Sequence, residues 1–266
     1  MKRIRLIIAY DGTAFHGFQI QPGERTVEGE LNRALSELTG ETVEVIGASR
    51  TDSGVHALGN AAVFDTASSI PADRYPYALL PYLPSDLRVT ESDEVPGDWH
   101  PRHRECLKTY EYVYSCGRIE DPKKRLYSSF QNRIPDAGKM RQAAAYLLGE
   151  HDFTSFANPA SQVLQSGGSA VRTITGIEIE EAGRDLIIRI TGNGFLYHMV
   201  RIIAGTLMRA GTGLWEPERV REALDAKDRS AAGPTAEARG LTLVSIRYLD
   251  EKGEGYDSVD RMQERS

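Results

Sequence analysis

The stretch Arg50-Thr51-Asp52-Ser53-Gly54-Val55-His56-Ala57 sets one carboxylate between an arginine two residues before it and a glycine two residues after it. An arginine within reach lowers a carboxyl pKa and keeps the group ionised. An ionised aspartate held in place can act as a nucleophile. Gly54 supplies a backbone conformation that a Cβ resists. The plain alternative is a surface turn with a local Arg–Asp pair, which is what an isolated R-x-D-x-G match usually means. Further along, Arg201 is the one strongly charged side chain in the apolar run Phe195 to Met208. An unpaired buried guanidinium is costly, so it calls for a carboxylate, and Asp152 is one acid that could serve. Tyr110, Tyr112 and Tyr114 recur every second residue and share one face of a strand. For Tyr112 and Tyr114, core packing is the better reading. His100, His103 and Cys106 are metal-ligating types close together, but Pro101 and the missing fourth ligand argue against a metal.

These residues need elements to hold them. The run Val43 to Ala48 precedes the octet and Asn60 to Phe64 follows it, a strand–loop–strand pattern with Asp52 in the loop. Arg3 to Tyr10 reads as a strand rich in branched aliphatics. Thr26 is placed to cap a helix whose apolar stripe is Val27, Leu31, Leu35 and Leu38, stopped by Gly40. A short helix is expected over 72–82, between Pro71 and Pro84, then a strand over 87–95. The segment 96–104 reads as a crossing between halves. After it come a strand over 107–115, a helix over 139–148, and a hairpin of 176–180 and 186–191 turning at Ala182-Gly183. A helix over 195–208, a short helix opened by Pro217 and a strand over 241–248 complete the chain. The similar order of elements suggests a pseudo-duplicated α/β architecture, with no visible sequence repeat. Residues 1–100 form the half with the Asp52 loop, 101–249 the half with the tyrosine strand and the Arg201 helix, and 250–266 an acidic tail expected to be disordered.

A length of 266 residues suits one large domain or two of ordinary size. Hydrophobic content of 40% and charged content of 26% fit a soluble globular protein. No run approaches the ~20 apolar residues of a membrane span, and Met1-Lys2-Arg3-Ile4-Arg5 leads into strand alternation with no signal-peptide segment. Two cysteines without a C-x-x-C spacing point to a reducing cytoplasm and free thiols. A net charge of −6 argues on its face against nucleic acid, yet the tail, with six acidic and three basic side chains, carries half of it. Phosphate binding depends on where the cations cluster. The candidate clusters are 100–108 and 118–125, for which solvated surface is the alternative.

With four other stretches, the octet resembles the tRNA pseudouridine synthase A family. The stretches are Tyr10-Asp11-Gly12-Thr13 with Phe15, Gly17, Gln19 and Gln21; Lys108-Thr109-Tyr110-Glu111-Tyr112; Gly149 with Asp152-Phe153-Thr154-Ser155-Phe156; and Phe195-Leu196-Tyr197-His198-Met199-Val200-Arg201. Their order is colinear over nearly the whole chain. Ser49 and Phe18 depart from the glycine and tryptophan common there. The resemblance implies an α+β pseudouridine synthase fold, two similar halves sharing a mixed, largely antiparallel sheet with the cleft between them. It implies a cofactor-free isomerase acting on uridines 38–40 of the tRNA anticodon stem-loop, as a homodimer in which one tRNA touches both subunits. Asp52 is then the nucleophile. Attack on ribose C1′, attack on base C6 and removal of a ribose proton to give a glycal all stay open. Arg201 becomes the partner of Asp52. Tyr110 lines the uracil pocket, where its ring could stack on the extruded base, and Arg102 lies in an RNA-facing crossing strand. Arg50 could fill the place the base vacates, bind the adjoining phosphate, or pair within its loop. Leu241 or Leu243 could roof the pocket, though both also read as core. His56 and His198 read as packing or hydrogen-bonding residues.

Three rival functions are a synthase for another RNA position, a non-catalytic RNA-binding module, and an aspartate-based phosphotransferase or hydrolase. The set Asp52, Tyr110 and Arg201 speaks against the module. The last class typically carries a second aspartate where this chain has Gly54.

Binding to tRNA is expected to fall steeply with salt despite the sequence pI of about 5.6, because each neutralised phosphate releases counterion. Deleting residues 250–266 should leave the log–log slope unchanged or strengthen binding. A flat salt response in filter binding would exclude RNA as the partner.

Overall fold

A computed structural model describes residues 1–249 and the backbone of Gly255–Tyr256. The remainder of the acidic tail lies outside the described residues. In chain order, the first elements are β1 (Lys2–Tyr10), α1 (Val27–Thr39), β2 (Ile46–Gly47), β3 (His56–Thr66), α2 (Tyr75–Ala78) and β4 (Leu87–Val95). Then come β5 (Cys106–Cys116), β6 (Ser129–Gln131), α3 (Ala137–Ala145), β7 (Gly149–Asp152), α4 (Gln162–Gln165), β8 (Val171–Ala182) and β9 (Asp185–Gly192). The last are α5 (Met199–Gly211), α6 (Glu218–Asp225), β10 (Leu241–Leu249) and β11 (Gly255–Tyr256). The class is α+β, as expected. Among the described residues, no helix is long and apolar enough to cross a membrane.

The chain divides into two compact units, Met1–Cys106 with the stretch from Thr242, and Leu107–Leu241. From Thr242 onward β10 falls in the first unit, where it pairs in parallel with β3, Thr242 opposite His56 and Leu243 opposite Ala57. Chain order alone had counted it with the second.

In the first unit the strands run β4-β1-β3-β10. Ile4, Leu6, Ile8 and Tyr10 of β1 are buried, while Arg3 and Arg5 alternate with them. Arg3 faces Asp65 of β3 and Arg5 faces Asp93 of β4 across the ladder. Both pairs are two-pronged, at 2.8 and 2.6 Å and at 2.8 and 2.8 Å. A one-residue slip of either neighbour would break them and turn the apolar side chains outward.

Helix α1 is as the sequence predicts. Thr26 caps it, its side chain accepting from Gly29 N–H, and Gly40 ends it in the left-handed region at φ 72°. The strand expected in the run Val43 to Ala48 is only Ile46–Gly47. Upstream, Val43 and Val45 give their N–H groups to the Ser36 and Asn32 side chains of α1, at 3.0 and 2.8 Å, and so cannot join a ladder. The helix expected over 72–82 shrinks to one turn, Tyr75–Ala78, behind a 3-10 turn at 72–74.

In the second unit the order is β5-β9-β8-β7, with β6 parallel to β5. The β8–β9 hairpin turns at Gly183, φ 66°. Helix α3 packs on β8, α5 and α6. Helix α5 starts at Met199, not Phe195, because His198 is left-handed at φ 64° and cannot continue a helical turn. Arg201 is thereby the third helical residue.

Replacing Thr26 by Ala removes a buried cap and should lower stability by about 1 kcal/mol. Urea unfolding would measure it, and a change under ~0.3 kcal/mol would deny the cap its role.

Candidate active site

Asp52 lies half-buried in the loop between β2 and β3, and the first unit braces that loop from below. Val55 N–H closes a turn onto the Asp52 carbonyl at 3.1 Å, with Gly54 at φ 77°. Phe18 N–H donates to the Thr51 carbonyl at 3.0 Å, and Gly54 N–H to the Phe15 carbonyl at 3.3 Å. The segment after β1 therefore lies directly against the Asp52 loop. A Cβ at Gly12 would run into the Val55 carbonyl, and one at Gly17 would lie 2.8 Å from the Thr51 oxygen. His56 fastens the same start, its Nδ1 being 3.0 Å from Gly12 N and 3.2 Å from Asp11 Oδ1.

A buried polar network holds the loop's entrance. The Tyr10 and Thr51 hydroxyls share a 2.7 Å hydrogen bond. Asn60, wholly buried, donates to Tyr10 Oη at 3.2 Å and to the Ser49 carbonyl at 3.0 Å. Its Oδ1 accepts from Ser49 N–H at 3.3 Å and Ala61 N–H at 2.9 Å. Burial pushes the Tyr10 hydroxyl up to about 12, so it stays a neutral hydrogen-bonding group at physiological pH. Phe18 is packed so tightly on Gly47 that a Cβ there would enter its ring.

The outer edge of the 11–25 segment is clamped by Arg25. Its guanidinium stacks on the Phe15 ring at 4.2 Å and grips Asp86 with two 2.8 Å hydrogen bonds. The Asp86 carbonyl in turn accepts from Asp11 N–H at 3.0 Å.

Arg50 and Arg102 are both exposed. Arg102 Nε donates to the Gly47 carbonyl at 2.7 Å. Desolvation first, then the nearby Arg50 charge, push the Arg102 guanidinium below its ordinary value. Two guanidiniums thus sit near one another beside the Asp52 loop. His100 and His103 stack at 3.9 Å. Among the described residues, no group of three or more His, Cys, Asp or Glu is placed to hold a metal ion.

In the second unit Tyr110 is buried on β5 and meets Phe195 edge-to-face, centroids 5.2 Å apart. Tyr112 and Tyr114 are core, as expected. Tyr112 gives its hydroxyl proton to the Glu237 carbonyl at 2.8 Å and packs so closely on Gly240 that a Cβ there would lie 2.7 Å from the ring. Leu241 follows directly and is buried, as is Leu243. Arg201 Nε donates to the Ala236 carbonyl at 2.8 Å. Asp152, the alternative acid, is engaged elsewhere. Its Oδ1 accepts from Thr154 N and Oγ1 at 3.0 and 2.6 Å, and its Oδ2 lies 3.1 Å from Lys227 Nζ. The Thr154 bonds, with Lys227 behind them, hold that carboxyl below its ordinary value. The segment 233–236 that meets Arg201 was not foreseen from the sequence. Its one local signal is the Gly233-Pro234 turn dipeptide.

Asp52 thus sits in a loop braced on several sides by backbone and buried polar groups, with Arg50 and Arg102 beside it. The family model for tRNA pseudouridine synthase matches residues 6–103 and 143–249. A tRNA pseudouridine synthase A of Brevibacillus brevis is 44% identical over 248 residues, 93% of this chain and 100% of its own length. The enzyme of that name from Bacillus subtilis is 44% identical over 251 residues, 92% and 99% of the two chains. That from Halalkalibacterium halodurans is 46% identical over 243 residues, 91% and 90%. A chain in the archaeal box H/ACA sRNP Nop10-Cbf5 complex aligns with 86% of this chain and 60% of its own, at 11% identity and a TM-score of 0.34, a likeness too low to add to the fold described above. The chain belongs to the tRNA pseudouridine synthase family, a family of isomerases.

The Arg25 clamp predicts a pH dependence. Arg25's hydrogen bonds hold the Asp86 carboxyl below its ordinary value. The stability it contributes is therefore complete above the unfolded carboxyl pKa near ~4 and is lost as pH falls through the lower folded value. Asp86→Asn should cost about 1 kcal/mol at pH 7 and less at an acid pH where the folded carboxyl takes up its proton. Urea unfolding at the two pH values tests this; an equal difference at both would show that the ion pair is not its source.

Proposed function

We propose that this enzyme converts uridine to pseudouridine at positions 38–40 of the tRNA anticodon stem-loop, with Asp52 as nucleophile and no cofactor. The observation that carries the reading is the Asp52 loop, braced by Phe15, Phe18, Tyr10 and Asn60. A nucleophile whose backbone is already in place needs no reorganisation during the reaction. The likeness to chains named tRNA pseudouridine synthase A supports tRNA as the substrate.

In the reaction the N1–C1′ bond breaks, the uracil turns, and a C5–C1′ bond forms. The C5 proton departs and N1 ends protonated, so atoms and electrons balance with no redox partner. Attack by Asp52 on C1′, attack on C6, and glycal formation all satisfy this balance. Arg201 is assigned as the cation that keeps Asp52 ionised during turnover, and Asp152's engagement with Thr154 and Lys227 favours that assignment. Tyr110 is assigned to the face of the uracil, Leu241 to the pocket roof, and Arg50 and Arg102 to the RNA backbone or the vacated base position. The two exposed guanidiniums beside the loop are what an RNA-facing rim requires. A homodimer in the cytoplasm completes the reading; neither cysteine is in a disulfide, which suits a reducing compartment.

Asp52→Asn is isosteric and removes only the ionisable oxygen. It should abolish turnover while tRNA affinity and unfolding midpoint stay near wild type. Mapping pseudouridine in tRNA from cells lacking the gene, with either form returned, decides both site and nucleophile. Restoration by the Asn form would sink the nucleophile assignment, and loss of pseudouridine elsewhere than 38–40 would sink the position.

A further inference from the structure

Between α6 and β10 the segment Gly233-Pro234-Thr235-Ala236 lies on α5, backbone against backbone. A Cβ at Gly205 would run into the Pro234 carbonyl, and one at Gly233 would lie 2.7 Å from the Thr206 Cα. Gly233 N–H donates to the buried Thr206 hydroxyl at 2.9 Å. Towards the start of the helix this strap and Arg201 are joined twice. Ala236 N–H donates to the Arg201 carbonyl at 3.1 Å, and Arg201 Nε donates to the Ala236 carbonyl at 2.8 Å. Because Nε lies in the guanidinium plane, the place of Ala236 decides where the two Nη groups of Arg201 are aimed.

Arg229 braces the strap. Its Nη1 donates to the Gly233 carbonyl at 2.9 Å and its Nη2 to the Thr235 hydroxyl at 3.2 Å, spanning Pro234. Both partners are neutral, and desolvation pushes this guanidinium below its ordinary value. A half-desolvated cation on neutral acceptors is costly, yet its rigid fork matches two acceptors that a flexible amine cannot span together. We propose that Arg229 is a positioning residue for Arg201, clamping the Gly233–Ala236 strap so that Ala236 aims the Arg201 guanidinium. The proposal rests on the assignment of Arg201 made above.

The test is single-turnover pseudouridine formation and tRNA affinity for Arg229→Met, Arg229→Lys, Thr235→Val, Arg201→Met and the Arg201/Arg229 double variant. Arg229→Met should lower the rate at saturating tRNA about tenfold to a hundredfold, the scale of a ~1 Å misplacement. Its tRNA Kd should stay within about twofold of wild type. Arg229→Lys and Thr235→Val should retain intermediate rates, and they carry the comparison if Arg229→Met does not fold. Adding Arg229→Met to Arg201→Met should change nothing further. A wild-type rate for Arg229→Met beside a crippled Arg201→Met overturns the clamp. So does a fully multiplicative double variant. Weaker tRNA binding at an unchanged saturated rate, with the salt slope reduced by about one, would make Arg229 a phosphate contact instead. If Arg201→Met itself turns over like wild type, the assignment of Arg201 falls, and the clamp with it.

Discussion

The Asp52 loop depends on two stretches of backbone lying closer than a Cβ allows. Gly12 and Gly17 bring the segment after β1 against Thr51 and Val55, and backbone hydrogen bonds from Gly54 to Phe15 and from Phe18 to Thr51 cross the gap. Such bonds are directional and need no side-chain rotamer to form. The loop is therefore held by parts that lose no side-chain entropy on ordering. The rest of the first unit serves this contact. The Arg3 and Arg5 pairs set the register of β1, β1 delivers Tyr10 to Thr51, and the Arg25–Asp86 clamp fastens the far side of the segment.

The second unit solves its own positioning problem in the same way. Gly205 of α5 and Gly233 of the strap permit a backbone contact that side chains would block, and Arg201 is tied to that contact through Ala236. The left-handed His198 matters here too. By delaying the helix to Met199 it places Arg201 in the first turn, where the strap can reach it. Its ring is steadied by Asn158, whose Nδ2 lies 3.0 Å from His198 Nδ1.

Charge is distributed against the overall sign. The chain is acidic by −6, yet the flank of the Asp52 loop presents Arg50 and Arg102 close enough to repel one another. The net charge of a chain thus says little about which faces attract phosphate.

What the sequence by itself determined was local. The Asp52–Gly54 turn, α1 with its Thr26 and Gly40 caps, the Gly183 hairpin and the tyrosine alternation on β5 each depend on residues a few positions apart, where propensity, capping and period agree. The tertiary structure decided the partners that lie far apart along the chain, from about ten residues to well over a hundred. Asn60 hydrogen-bonds Ser49 and Tyr10, Asp86 meets Arg25, Asp152 meets Lys227, β10 joins β3, and a strap at 233–236 meets Arg201. The lengths of the weaker elements were decided there too. Val43 and Val45 leave the β2 ladder because α1 side chains take their N–H groups, and α5 begins late because His198 turns left-handed. A hydrogen-bonding group in the sequence states that it needs a partner, and only the packed chain determines which one lies within 3 Å of it.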